Sequence, residues 1–393
     1  MASVAGLLKF KTFLFTFLFL CSCATSLTAG TPESGTLELV QSIPEETALG
    51  LKELPYAAPT WITMIKNAKQ SIDLGQFYMV SKKGELLEDV IAELEKAAAR
   101  GVKIRILVSP AMLKDYPDPF GRLSKLPNIE GRIYDLSKTT GGILHAKYWV
   151  IDGREIFVGS QNFDWRALTQ IHETGLHIED VRLASQLKAI FEIDWKFAKD
   201  AIVPNPPPER PSPTRPDVEL VASPQAFNPP GTREAIKALV ELIGQAKQNI
   251  SIQLLQYSNI THDGKTWDII DGALRSAAAK GVKVRLLVSD WNKREPGFTS
   301  IKRLNAAPGV EIKIATIPAH SSGPIPYARV IHSKYMVIDS DVLWVGTSNW
   351  EQGYFSASRN IEIIVRSNPL LIGQGQKIFE QIWTSSYVED APR

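Results

Sequence analysis

Two stretches of the chain, residues 87–100 and 270–280, carry apolar side chains at helical spacing. Each stops at a glycine, Gly101 or Gly281, where a left-handed residue ends a helix. A β-branched run follows each at once, 102–108 and 282–288, of the kind that forms a buried strand. Helix then strand, met twice among further strand-like runs, predicts an α/β sandwich with a mixed sheet in each half. The halves also agree letter by letter. Ala97-Ala98-Ala99-Arg100-Gly101-Val102-Lys103 answers Ala277-Ala278-Ala279-Lys280-Gly281-Val282-Lys283, 180 residues on. Ala68-Lys69-Gln70 answers Ala246-Lys247-Gln248 at 178, and Ile190-Phe191-Glu192 answers Ile378-Phe379-Glu380 at 188. An offset that grows slowly and never reverses is that of a duplicated domain with small insertions.

The pattern breaks in two places. Residues 202–231 hold ten of the chain's 25 prolines and read as a connector, extended and exposed over 204–216, between halves at 31–201 and 232–393. In residues 1–30, Lys9 and Lys11 precede an apolar run at 12–20 and small residues follow from Ser22, which predicts an export signal. Leu20-Cys21-Ser22-Cys23 fits a bacterial lipobox, which would leave an acylated Cys23 as a membrane tether; the alternative is plain cleavage after Ser26 or Ala29. Both cysteines fall in this segment, so the mature domain is expected to hold no disulfide and no cysteine-based metal site. Lys plus Arg is 44 against 42 for Asp plus Glu, a formal +2. That balance argues against a strong general grip on duplex DNA and leaves room for a small positive pocket.

The duplication extends to the residues that carry chemistry. His145-Ala146-Lys147 with Asp152 is matched by His332-Ser333-Lys334 with Asp339, and Gly159-Ser160-Gln161-Asn162 by Gly346-Thr347-Ser348-Asn349. In a strand, residues two apart point the same way, so each histidine projects beside its lysine. The aspartates lie an odd seven residues beyond the histidines, and Asp152-Gly153 is a hairpin signal. The motif counts both aspartates with the catalytic set, but parity favours a structural role. If the halves pack about a pseudo-two-fold axis, the two His-Lys pairs form one shared active site. One imidazole could then attack phosphorus to form a phosphohistidine while the other protonates the leaving oxygen. Lys147 and Lys334 would supply charge, and Asn162, Asn349, Ser160 and Thr347 would bind the phosphate. No metal or other cofactor is expected. Glu173 lies 28 residues after His145, where the second half has Asn360 28 after His332. A carboxylate there could orient one imidazole and make the two inequivalent. His172, His177, His262 and His320 lack a repeat partner and read as packing or surface residues.

These paired H-x-K-x-x-x-x-D motifs resemble those of the phospholipase D superfamily, over nearly the whole mature chain. The runs 142–152, 159–170 and 325–337 are similar to the lysosomal phospholipase-D-like proteins of animals, whose branch includes poxvirus envelope and nicking proteins. The resemblance implies tandem α/β repeats with one site, metal-independent phosphodiester chemistry, and 5′ exonuclease action on single-stranded nucleic acid. It implies His145, Lys147 and Asn162 from one half acting with His332, Lys334 and Asn349 from the other. By the same analogy Glu173 pairs with His332, which leaves His145 as the nucleophile. The cleavable signal, the missing disulfides and Asp339 in place of Glu depart from the animal members and point to a bacterial or divergent one.

Three functions compete: an exonuclease on single strands in the envelope or outside the cell, a phospholipase or transphosphatidylase on lipid headgroups, and a binding protein with a decayed site. Intact motifs in both halves weigh against the last. Phe77, Tyr78, Trp165, Tyr257, Trp350 and Tyr354 lie near the motifs and could stack bases, although more than half are expected in the core. No obligate protein partner is implied.

Overall fold

The computed structural model describes residues 35–201 and 216–393; the expected signal with Cys23, and residues 202–215 of the connector, lie outside them. The first half is a seven-stranded sheet in the spatial order Leu37–Ser42, Glu173–Glu179, Glu155–Gly159, Tyr148–Ile151, Ser71–Gln76, Lys103–Val108, Ile129–Ile133. The last three strands are mutually parallel and the others pair antiparallel. The second half repeats this order with Val218–Ser223, Asn360–Arg366, Val342–Gly346, Tyr335–Ile338, Asn249–Leu254, Lys283–Ser289 and Val310–Ala315. Two short edge strands, Arg233–Glu234 and Val388–Asp390, complete its nine. The fold is therefore the expected pair of tandem α/β repeats. The helices run Leu87–Ala99 and Ile269–Ala279, and Gly101 and Gly281 end them at φ +96° and +92°.

The proline-rich stretch gives way to structure sooner than its composition suggests. Val218–Ser223 is a mostly buried strand paired with Asn360–Arg366, and Pro224, Pro229 and Pro230 follow it without interrupting its ladder.

Helices Val181–Asp200 and Pro369–Trp383 lie between the sheets and merge both inner faces into one core, in which Tyr148, Leu187, Phe191, Tyr335, Ile378 and Phe379 are buried. Truncating either phenylalanine to alanine is expected to cost about 3–5 kcal/mol. Ala57–Asn67 and Leu87–Ala99 cover the outer face of the first sheet; Ala235–Gln245, Ile269–Ala279 and Gly297–Asn305 cover that of the second. The shared middle layer holds the halves in one register and so lets residues 187 apart build a common site. Among the described residues no helix is long and apolar enough to cross a membrane.

Candidate active site

The motif histidines lie just ahead of their strands, which begin at Tyr148 and Tyr335, rather than within them. The reason is a contact that neither half can make alone. The backbone N–H groups of His145 and Ala146 donate to the Arg359 carbonyl at 3.0 and 2.9 Å. Those of His332 and Ser333 donate to the His172 carbonyl at 2.8 and 3.2 Å. Each half thus supplies the acceptor that seats the other's histidine. His172, read from sequence as an unpartnered packing residue, is the repeat counterpart of Arg359. The Lys147 ammonium curls back to the His145 carbonyl, and Lys334 does the same to His332 at 2.5 Å.

Asp152 and Asp339 are not brought to the imidazoles, which corrects their place in the catalytic set. The Asp152 carboxylate accepts from the N–H groups of Lys69, Gln70 and Ser71 at 2.7–2.8 Å. Asp339 repeats this with Lys247, Gln248 and Asn249 at 2.6–2.8 Å. Both residues adopt a left-handed turn, φ +51° and +50°, and each pins the start of a neighbouring strand. Charge-assisted bonds of this kind buckle the repeat.

The ring orientations differ between halves. His145 Nδ1 is 3.0 Å from Asn360 Oδ1, and His332 Nδ1 is 2.8 Å from Glu173 Oε2. Asn360 is itself fixed: its Nδ2 donates to the Tyr354 carbonyl at 2.8 Å and the Thr347 hydroxyl donates to its Oδ1 at 2.9 Å. An amide so bound must present oxygen to His145, which therefore carries its proton on Nδ1 and keeps a lone pair on Nε2. Ser160 exchanges bonds with the backbone of Thr174, the residue after Glu173, at 3.1 Å. Thr347 thus braces the amide that holds His145, and Ser160 pins the backbone next to Glu173.

Electrostatics follow from burial. Both imidazoles are held well below the ordinary histidine value, first by burial and then by the two ammonium groups. Burial, with Lys334 adding repulsion, pulls Lys147 well down; burial lowers Lys334 to about 7 against the pull of Glu173. Burial pushes the Glu173 carboxyl up to about 8, so it and His332 share a proton near neutrality. A phosphodiester monoanion entering between Lys147 and Lys334 would favour their charged, ammonium forms.

Asn162 and Asn349 are buried with a side-chain oxygen unpartnered, and Asn349 reaches Tyr354. Four of the six aromatics, Phe77, Tyr78, Trp165 and Tyr354, are part-exposed; Tyr257 and Trp350 are core, fewer than expected. Phe77 and Tyr354 flank the His145 ring at centroid distances of 5.3 and 4.8 Å. Sequence reasoning missed the buried Arg359–Asp194 ion pair at 2.8 Å, with Arg359 also holding the carbonyls of Ser223 and Phe227. The 187-residue offset, applied to His172, would have pointed to Arg359.

Comparison with known proteins agrees with this geometry. The family model described as "Cardiolipin synthase, PLD-like domain" matches residues 61–195 and again 239–383. The chain is 33% identical over 399 residues to the 5'-3' exonuclease PLD3 of Xenopus laevis, covering 89% of this chain and 80% of that protein. It is 31% identical over 407 residues to the 5'-3' exonuclease PLD4 of Mus musculus, covering 91% and 80%. In fold it is similar to a phosphatidylserine synthase of Haemophilus influenzae Rd KW20, with a TM-score of 0.60 at 12% identity over 85% of each chain. With the motif duplicated, its rings seated across the two halves and the domain matched twice, the chain belongs to the phospholipase D superfamily.

Proposed function

We propose that the chain is a phosphodiesterase that works through a phosphohistidine and acts as a 5′ exonuclease on single-stranded nucleic acid. The observation that carries the mechanism is the pair of unlike Nδ1 partners. Neutral Asn360 leaves His145 with a free lone pair on Nε2, which attacks phosphorus. The Glu173–His332 pair holds the proton that passes from His332 Nε2 to the leaving oxygen as the P–O bond breaks. His332 then takes a proton from water, the water oxygen attacks phosphorus, and the P–N bond to His145 breaks. Lys147 and Lys334 face the charge that builds on the phosphoryl oxygens, and the carboxamides of Asn162 and Asn349 add donors. The nucleic-acid reading is supported by the exonuclease relatives and by the aromatic rings beside His145.

The test is incubation of the mature protein, in EDTA, with a 5′-labelled single strand and separately with phosphatidylcholine vesicles. Release of 5′ mononucleotides is the expected result. Headgroup release from vesicles without strand degradation would favour the lipid reading. Export forms part of the proposal and rests on Lys9, Lys11 and the apolar run after them.

A further inference from the structure

Of the part-exposed aromatics near the motifs, Phe77, Tyr78 and Trp165 belong to the first half and Tyr354 to the second. From His145 a chain of contacts runs outward over the first half. Phe77 lies 5.3 Å from the His145 ring and 5.1 Å from Tyr78, whose hydroxyl donates to Asp164 at 2.9 Å. Asp164 carries Arg166 at 2.8 Å, next to Trp165, and the Lys82 ammonium sits 4.2 Å above the Trp165 ring. Arg166 also donates to the Pro326 carbonyl at 3.1 Å, which brings the following residue, Tyr327, to the same region. Tyr327 is 67% exposed and holds a left-handed φ of +61°, a conformation unfavourable for an aromatic residue and maintained by the clamped loop. At the repeat positions of Phe77, Tyr78, Trp165 and Arg166 the second half has Leu255, Gln256, Gln352 and Gly353.

We infer that this track, Phe77, Tyr78, Trp165 and Tyr327 with Lys82 and Arg166, binds the nucleotides that continue 3′ from the scissile phosphate. The inference rests on the nucleic-acid reading and deepens it. A 5′ exonuclease releases one nucleotide and must keep hold of the long remainder, and rings interleaved with cations suit a single strand of any sequence. Arg166 is neutralised by Asp164 and Lys82 is shared with Glu85, so stacking, with little help from net charge, supplies the grip. The unlike histidines fix which side of the phosphorus holds the leaving group, and the track extends the grip on that strand away from the site.

The test compares Tyr327→Ala, Trp165→Ala and Lys82→Gln with wild type on a 12-nucleotide single strand and on bis(p-nitrophenyl) phosphate, which is too small to reach the track. The ratio of kcat/KM for the strand to that for the small diester should fall about tenfold in Tyr327→Ala and Trp165→Ala through KM, and less in Lys82→Gln. Abasic sites at the second and third nucleotides should erase the difference between wild type and the aromatic variants. Tyr327 and Lys82 are exposed, so their variants keep the comparison valid if Trp165→Ala fails to fold. A wild type that degrades the strand while all variants keep its ratio overturns the track alone. A wild type that cleaves the small diester and lipid but no strand overturns the exonuclease reading with it.

Discussion

Replacing Glu173 by glutamine removes a charge from the Nδ1 side of His332 at nearly constant size. The two groups are 2.8 Å apart and buried. With charge centres at about 4 Å and an effective dielectric near 20, carboxylate and imidazolium attract by about 4 kcal/mol. That corresponds to ~3 pKa units at about 1.36 kcal/mol per unit, opposed here by the two ammonium groups. In the wild type the pair keeps its shared proton until the pH passes the Glu173 value of about 8. The form that can protonate a leaving oxygen is therefore present below that pH and lost above it. In Glu173→Gln nothing holds the extra proton, and burial beside Lys334 and Lys147 keeps His332 well below its ordinary value. The alkaline limb of the kcat/KM profile should move down by about 1–3 units. The rate at neutral pH should fall ~100-fold or more for an alkoxide leaving group. A p-nitrophenyl leaving group needs little protonation and should lose far less. The assay is a pair of pH–rate profiles, one per substrate, on variants whose thermal unfolding matches wild type. An unmoved limb, or an equal loss on both substrates, would refute the proton-holding role.

The same leaving-group logic separates the histidines: His332→Ala should keep measurable p-nitrophenolate release, whereas His145→Ala should show none, as read by stopped-flow absorbance. Removing Asp152 strips three charge-assisted bonds from the N–H groups of residues 69–71, so Asp152→Ala should lose about 2–4 kcal/mol of stability in a urea titration while folded protein keeps its KM. Retained stability with lost turnover would return Asp152 to the catalytic set. Palmitate labelling in a bacterial host should mark Cys23; a soluble, unlabelled chain beginning near Leu27 or Gly30 would show ordinary cleavage instead.

Much of this architecture was legible before any coordinates. The helix–glycine–strand runs at 87–108 and 270–288 lie within about a residue of the observed elements, because their apolar spacing and glycine stops are local properties. The motif histidines and lysines stood out because they are repeated. What stayed hidden depends on contacts between halves. Nothing local marks Arg359 as the seat of His145, since its role is played by a carbonyl, which every residue has. Phe77 and Tyr354 carry no repeat signal because their counterparts, Leu255 and Ala167, are of another kind. The start of the second half was masked by composition: prolines suggested a connector through residue 231, but pairing with Asn360–Arg366 claims the strand from Val218.

Duplication makes two equal imidazoles, and in-line displacement needs two unequal ones. The structure breaks the equality at one pair of repeat positions, Glu173 and Asn360, the latter braced by the Thr347 hydroxyl. If that pair sets the roles, exchanging the charge should exchange them. Glu173→Gln with Asn360→Asp leaves both side-chain lengths unchanged, puts the carboxylate beside His145 and leaves a neutral amide beside His332. The proton would then be held on His145, and His332 would offer the lone pair. The Tyr354 carbonyl, now facing an acid in place of the Asn360 Nδ2, makes the exchange imperfect, so overall turnover should drop. The location of the phosphoryl group is the sharper readout. Rapid acid quench with radiolabelled substrate and peptide mapping should find it on His145 in the wild type and on His332 in the double variant. Label that stays on His145 in a folded double variant would mean that the roles are set elsewhere, with the Phe77 and Tyr354 rings around His145 the next groups to exchange.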